Sequence, residues 1–237
     1  MNSIKIHDVE IQYGSLMELD DRLEFFSGFN EGEQSQEYTS FLKHSKDKHT
    51  FLDIGSSYGA FGLTFAKMDD TKKVYCFDGS INAWLTLNQT IEVNKLTNIK
   101  CHRLLVGNTD GTVGVAYDKH QSLVNQMSGT SDLMMQMDTF CELFDITPDC
   151  MKIDTEGYEH KVLLGAMGII ATYKPTLFME VHPKFLTYHG NTIYDVLNVF
   201  NTINYYAVDL YGNVIEDYKK YLEAETTDSN RTVWLPR

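Results

Sequence analysis

The sequence predicts an α/β protein built on a mostly parallel sheet. Three observations predict it: β-rich runs alternate with segments of helical length, glycines crowd the turn after the first apolar strand, and the patterning turns antiparallel late in the chain. The strands expected in parallel are Thr50 to Ile54, Lys73 to Phe77, Ile99 to Val106, Cys150 to Asp154 and Thr176 to Val181. Between and after them, Ala60 to Met68, Ile81 to Asn94, Met137 to Phe144, Glu159 to Ile170 and Thr192 to Ile203 have the length and apolar spacing of helices. The late section reads differently. Tyr205 to Leu210, a turn at Tyr211 to Asn213, Val214 to Glu216 and Arg231 to Leu235 pattern as antiparallel strands. Residues 1–48, rich in charge and interrupted by Gly28 and Gly32, read as a cap or lid before a main domain over residues 49–237.

Composition narrows the function classes. With 33 acidic and 20 basic side chains among 237 residues, the formal net charge is −13. Such a balance repels phosphate backbones, so no nucleic-acid partner is expected. Met1 to Glu10 carries Lys5, Asp8 and Glu10 and lacks the apolar core of a signal peptide, and no stretch approaches the ~18 apolar residues of a membrane span. A soluble, cytoplasmic protein is the expectation. The four cysteines, Cys76, Cys101, Cys141 and Cys150, form no C-x-x-C pair, which argues against a zinc ribbon or a thioredoxin-type site and for reduced, mostly buried thiols.

Candidate chemistry sits in four segments. In Thr50-Phe-Leu-Asp-Ile-Gly-Ser-Ser-Tyr-Gly-Ala-Phe-Gly62, an apolar strand runs into Asp53, and Gly55, Gly59 and Gly62 let backbone approach a ligand where the next helix opens. Ser57 and Ala60 stand where two glycines of the dinucleotide fingerprint belong. An acid before the first glycine suits a cationic or amino-acid-bearing ligand; the plainer alternative is a tight turn with a capping aspartate. The second segment, Val74 to Asp78, ends in a carboxylate placed to accept ribose hydroxyls, or, followed by Gly79-Ser80, to cap a helix.

The third segment, Cys150 to Glu159, delivers Asp154, Glu156 and Glu159 at the sheet edge that carries the glycine turn. They suit a general base, a divalent-metal ligand or recognition of an amine. Acids at a helix N-terminus also stabilise its dipole by ~0.3–1 kcal/mol each, which is the first reading for Glu159. Lys152, two residues earlier on the face of Asp154, is placed to neutralise it. In the fourth, Pro175 to Pro183, alternation puts Glu180 and His182 on one face, where an acid orients an imidazole. The remaining histidines show no metal-ligand spacing. Asp154, Glu156 and His182 together suit a hard divalent ion, but they lack a spacing signature and no metal is expected. A short-chain dehydrogenase would also use a glycine turn and an acidic second strand, but its Tyr-x-x-x-Lys pair is missing; Tyr158 with Lys161 falls one residue short.

Taken together, these segments resemble the FkbM-type family of S-adenosylmethionine-dependent methyltransferases. The resemblance is carried by Phe51 to Gly59, Val74 to Asp78 with Leu87-Asn88 and Asn94, Met137-Asp138, Met151-Lys-Ile-Asp-Thr-Glu-Gly-Tyr-Glu159 with Gly165-Ala166, and Glu180-Val-His182. Two departures stand out. The family usually has Gly-Ala-Asn where Gly55-Ser56-Ser57 stands, and Glu-Pro where Asp78-Gly79 stands.

The resemblance implies a class I, Rossmann-like methyltransferase with a seven-stranded, mostly parallel sheet, using S-adenosylmethionine to O-methylate a hydroxyl of a sugar, lipid or natural product. Asp53, Gly55, Ser57 and Gly59 would line the methionine end of the cofactor, Asp78 and Gly79 the ribose, and Gly107 and Asn108 the adenine edge. Asp154, His182, Glu156 and Glu180 are the catalytic candidates. The stretch Tyr117 to Met137, with Ser128-Gly129, is expected to be the substrate loop, closing on a small-molecule or glycan acceptor. Two alternatives stay open: an NAD(P)-binding oxidoreductase and a non-catalytic S-adenosylmethionine-binding module.

Overall fold

The computed structural model describes residues 2–16, 26, 28–117, 122–124, 130–224 and 229–237. The chain opens with a hairpin of β1 (Asn2–Ile6) and β2 (Val9–Tyr13) and a helix α1 (Gly32–Ser45). Then follow β3 (Thr50–Ile54), α2 (Ala60–Met68), β4 (Lys73–Asp78), α3 (Ile81–Val93), β5 (Ile99–Arg103), β6 (Leu105–Val106), β7 (Gly111–Tyr117), β8 (Ser122–Val124), β9 (Thr130–Met135), α4 (Met137–Phe144) and β10 (Cys150–Ile153). The last third holds α5 (Glu159–Leu164), α6 (Met167–Tyr173), β11 (Thr176–Val181), α7 (Pro183–Leu186), α8 (Ile193–Ile203), β12 (Tyr205–Val208), β13 (Val214–Ile215), α9 (Tyr218–Ala224) and β14 (Asn230–Pro236).

The central sheet runs in the order β13-β12-β14-β11-β10-β3-β4-β5. Neighbours from β11 to β5 are parallel, whereas β14 is antiparallel to both β11 and β12. Eight strands are thus present among the described residues, not the seven the resemblance implied. The additional one is β13, two residues paired with Ala207 and Val208 at the sheet edge.

Alternation along the strands divides the core between two faces. Leu52, Ile54, Met151, Ile153, Leu177, Met179 and Val181 pack with Val162, Ile170 and Phe200 of the helices on one side. Phe51, Val74, Cys76, Cys150, Phe178 and Val233 pack on the other, against Leu63, Phe65, Tyr38, Phe41 and the hairpin residues Ile6 and Ile11. At roughly 1.5–3 kcal/mol for each fully buried large apolar side chain, both layers contribute to holding the sheet.

Three expectations need correction. The strand expected over Ile99 to Val106 is broken: β5 stays in the central sheet, while β6 pairs with β9 in a separate four-stranded sheet of order β6-β9-β7-β8. The helix expected over Glu159 to Ile170 is two helices. A Cβ at Gly165 would lie 1.8 Å from the Gly107 carbonyl oxygen, so the chain turns at this close approach. Asp138 then accepts the N–H groups of Gly168 and Ile169, both at 2.8 Å, and caps the second piece. Finally, the proposed substrate loop contains β8, β9 and the start of α4; its residues 118–121 and 125–129, including Ser128-Gly129, lie outside the described residues.

Candidate active site

The carboxyl ends of the parallel strands open into one cavity of about 380 Å³. Ligands bind at this edge in open α/β sheets. One part of its wall is the turn after β3 together with the end of β4. Gly55 and Gly59 have φ of 79° and 83°, in the left-handed region that a side chain disfavours. Ser57 takes the same region at φ 48° and turns its N–H onto Asp78 Oδ2 at 2.8 Å. The other oxygen of Asp78 accepts the Ser80 N–H at 2.8 Å. Asp78 therefore ties two turns together, while Ser80 caps α3 by accepting the Ala83 N–H.

Asp53, Gly55, Ser57, Asp78 and Gly79 all lie on the cavity wall. Asp53 is buried, accepts the Gly62 N–H at 3.0 Å, and is pushed up to about 7, chiefly by burial. Gly59 is not among the residues lining that wall, and a Cβ there would meet Leu87 at 2.4 Å. Gly107 and Asn108 are likewise not among the lining residues. The wall after the third parallel strand is made by Leu104, Leu105 and Val106, and Gly107 packs against Met134, Tyr158 and Gly165.

The opposite part of the wall is a row of charged side chains brought together by register. Lys152 of β10 stands opposite Asp53 of β3, and Glu180 of β11 opposite Arg231 of β14. Lys152 Nζ bonds Asp154 Oδ2 at 2.7 Å and lies 3.6 Å from Glu37 Oε1. Arg231 meets Glu180 at 2.5 Å and Glu37 at 3.0 Å. Asp154, Glu156 and Glu180 face the cavity beside them, and Phe29, Gln34 and Glu37 of the N-terminal segment complete this side.

These neighbours set the charges. Burial works to raise Asp154, but Lys152, His182 and Arg231 outweigh it and hold the carboxyl below the usual range. Burial raises Glu156, partly offset by His182. Burial and the charges of Asp154 and Glu37 push Glu180 upward. His182 is buried behind Glu156 and Glu180. There burial works to lower it, but the Glu159 hydrogen bond and the charges of Asp154, Glu159 and Glu156 raise it to about 9.

Asp154, Glu180 and His182 bring ligand atoms within 4.8 Å of one another. An ammonium and a guanidinium already neutralise the two carboxylates, so this donor set does not fit a divalent ion. Sequence reasoning missed Glu37 and Arg231, which no local pattern marks, and read Glu159 as a helix-dipole acid although it bonds His182 at 2.9 Å.

Architecture and cavity define a class I methyltransferase fold, and known structures share it. A methyltransferase FkbM from Methylobacillus flagellatus KT is similar with a TM-score of 0.51 and 18% identity, over 80% of this chain and 44% of that one. An rRNA methylase from Streptococcus thermophilus gives 0.50 at 10% identity, over 86% and 94% of the chains. StiE O-MT, residues 961–1257 of that protein, gives 0.51 at 11%, over 93% and 78%. At these identities the likeness is one of fold, and the chain spans less than half the length of the FkbM structure. Residues 53–206 match the methyltransferase FkbM domain, and the chain belongs to this family. No curated protein matches it. The matched domain is described as a methyltransferase domain. No helix among the described residues is long and apolar enough to cross a membrane.

Proposed function

We propose that the protein is an S-adenosylmethionine-dependent O-methyltransferase acting on a hydroxyl of a sugar, lipid or other small molecule. The observation that carries this reading is the single cavity that runs from the Ser57–Asp78 turn pair to the carboxylates of Asp154, Glu156 and Glu180. The wall fits the cofactor in kind: a carboxylate for ribose hydroxyls at Asp78, an apolar strip at Leu104 to Val106 for a base, and acids for a sulfonium. When bound, S-adenosylmethionine supplies an already activated methyl group.

The chain's own residues have two tasks. The first is alignment, to which the rigid turn at Gly55 to Ser57 contributes; effective molarity is worth ~7–11 kcal/mol in well-oriented reactions. The second is removal of the acceptor's proton, worth ~10²–10⁴-fold. Glu156 suits this task best, because it lines the cavity and its pKa is raised; Asp154, held ionised by Lys152, is a weaker base. The N-terminal segment caps the acceptor side through Phe29, Gln34 and Glu37. Calorimetry with S-adenosylhomocysteine and NAD tests the cofactor, and mass spectrometry of candidate acceptors incubated with S-adenosylmethionine tests the transfer. Binding of NAD without response to S-adenosylhomocysteine would sink the reading.

A further inference from the structure

His182 presents a carboxylate to each of its ring nitrogens. Nδ1 lies 2.9 Å from Glu159 Oε1, and Nε2 lies 3.4 Å from Glu156 Oε2 and 3.7 Å from Glu180 Oε1. A neutral imidazole has one donor and one acceptor nitrogen, so a ring facing acceptors on both sides is satisfied as the imidazolium. Glu159 is fully buried, and it also accepts the Gly157 N–H at 2.8 Å, which fixes it independently of the ring. Phe185 stacks on the imidazole with centroids 5.8 Å apart. Glu156 holds left-handed backbone at φ 52°, a strain that persists in non-glycine residues only where the surroundings impose it.

We propose that Glu159 and His182 are a positioning pair for Glu156: the buried carboxylate fixes the imidazolium, and the imidazolium holds the Glu156 carboxyl at the cavity edge in its charged form. This rests on the methyl-transfer reading and assigns within it two residues that do not touch the acceptor. The groups facing the ring are Glu159 of α5, Glu156 and Asp154 after β10, and Glu180 of β11, the strand His182 follows, with Arg231 of β14 beyond.

The test is an NMR titration of protein labelled with 15N-histidine and 13C-carboxyl glutamate. His182→Gln and Glu156→Gln identify the two signals by their loss. In the wild type His182 keeps both ring protons through neutral pH. Glu159→Gln moves its midpoint down by about one to two pH units, the size of a lost hydrogen bond to a charged group. Glu159→Asp recovers part of that shift. His182→Gln moves the Glu156 midpoint up. A Glu159→Gln protein that binds S-adenosylhomocysteine normally and leaves the His182 midpoint in place overturns the proposal. Where Glu159→Gln does not fold, the His182→Gln protein decides: an unmoved Glu156 midpoint overturns it equally. Wild-type protein that fails to bind S-adenosylhomocysteine defeats the methyl-transfer reading instead, while the titration still decides the pairing.

Discussion

Gly55 lies against the backbone of Asp154: a Cβ on Gly55 would stand 1.7 Å from the Asp154 carbonyl oxygen. Two segments far apart in sequence, the glycine turn and the carboxylate segment, thus share one rigid contact at the cavity floor. Because the obstacle is backbone and Gly55 has φ 79°, Gly55→Ala adds a clash to the ~1–2 kcal/mol cost of left-handed backbone. Urea unfolding should show a loss of at least about 2 kcal/mol, with S-adenosylhomocysteine binding weakened. Unchanged unfolding and affinity would mean that the turn is not constrained by this contact.

Asp78→Ala should weaken S-adenosylhomocysteine binding by roughly 1.5–3 kcal/mol, the range for hydrogen bonds to a charged group. The substitution also frees the N–H groups of Ser57 and Ser80, so melting is compared alongside. Calorimetry that finds wild-type affinity would remove Asp78 from the cofactor site.

For Glu156→Gln, turnover should fall at least about tenfold while S-adenosylhomocysteine affinity changes little, as expected when a general base is lost. Asp154→Asn should act differently, because it strips a buried ammonium of its nearest partner; breaking such a pair costs about 3–5 kcal/mol of stability. Single-turnover assays and urea unfolding separate the two. Near-normal turnover in Glu156→Gln would place the base elsewhere.

Strands β3, β10 and β11 were legible as mainly apolar runs buried on both faces, whereas β5, Ile-Lys-Cys-His-Arg with only Ile99 buried, showed itself only through the alternation of strands and helices. Asp78, Asp154 and Glu156 stood out because apolarity stops there. Lys152 was placed beside Asp154 by period alone. Glu37 and Arg231 were not legible: they reach the site by helix docking and by the register of β14 on β11, neither of which leaves a local pattern. The close approach of Gly107 to Gly165 is visible only once two distant segments meet. Strand β6 is too short, at two residues, to show any period.

Stability should fall as pH rises from 6 to 9. His182 is raised from 6.5 to about 9: burial opposes the shift, and the Glu159 hydrogen bond with the surrounding carboxylates overcomes it. A raised folded value means that its contribution is complete below the unfolded pKa and is lost as pH passes the folded one. Asp53, raised from 3.8 to about 7 mainly by burial, slopes the same way over a lower window. Urea unfolding at pH 6 and pH 9 checks this, with His182→Gln expected to lose less than the wild type across that span. An equal loss in both proteins would rule His182 out as the source.

Methyl transfer should survive chelation. Lys152 and Arg231 stand where a divalent ion would need free carboxylates, so protein dialysed against EDTA is expected to keep its activity. Loss that magnesium restores would show that the ion pairs open to admit a metal.

Strand β14 enters between β11 and β12, two strands synthesised earlier, and carries Arg231 to Glu37 near the opposite end of the chain. Contacts between sequence-distant segments form late, since loop closure must precede them. Until that insertion, β11 and β12 stay unjoined and Glu37 and Glu180 lack their guanidinium. The charged wall of the cavity is therefore a late product of folding, and a ribosome-bound chain stalled before Arg231 would carry the glycine turn without that wall completed.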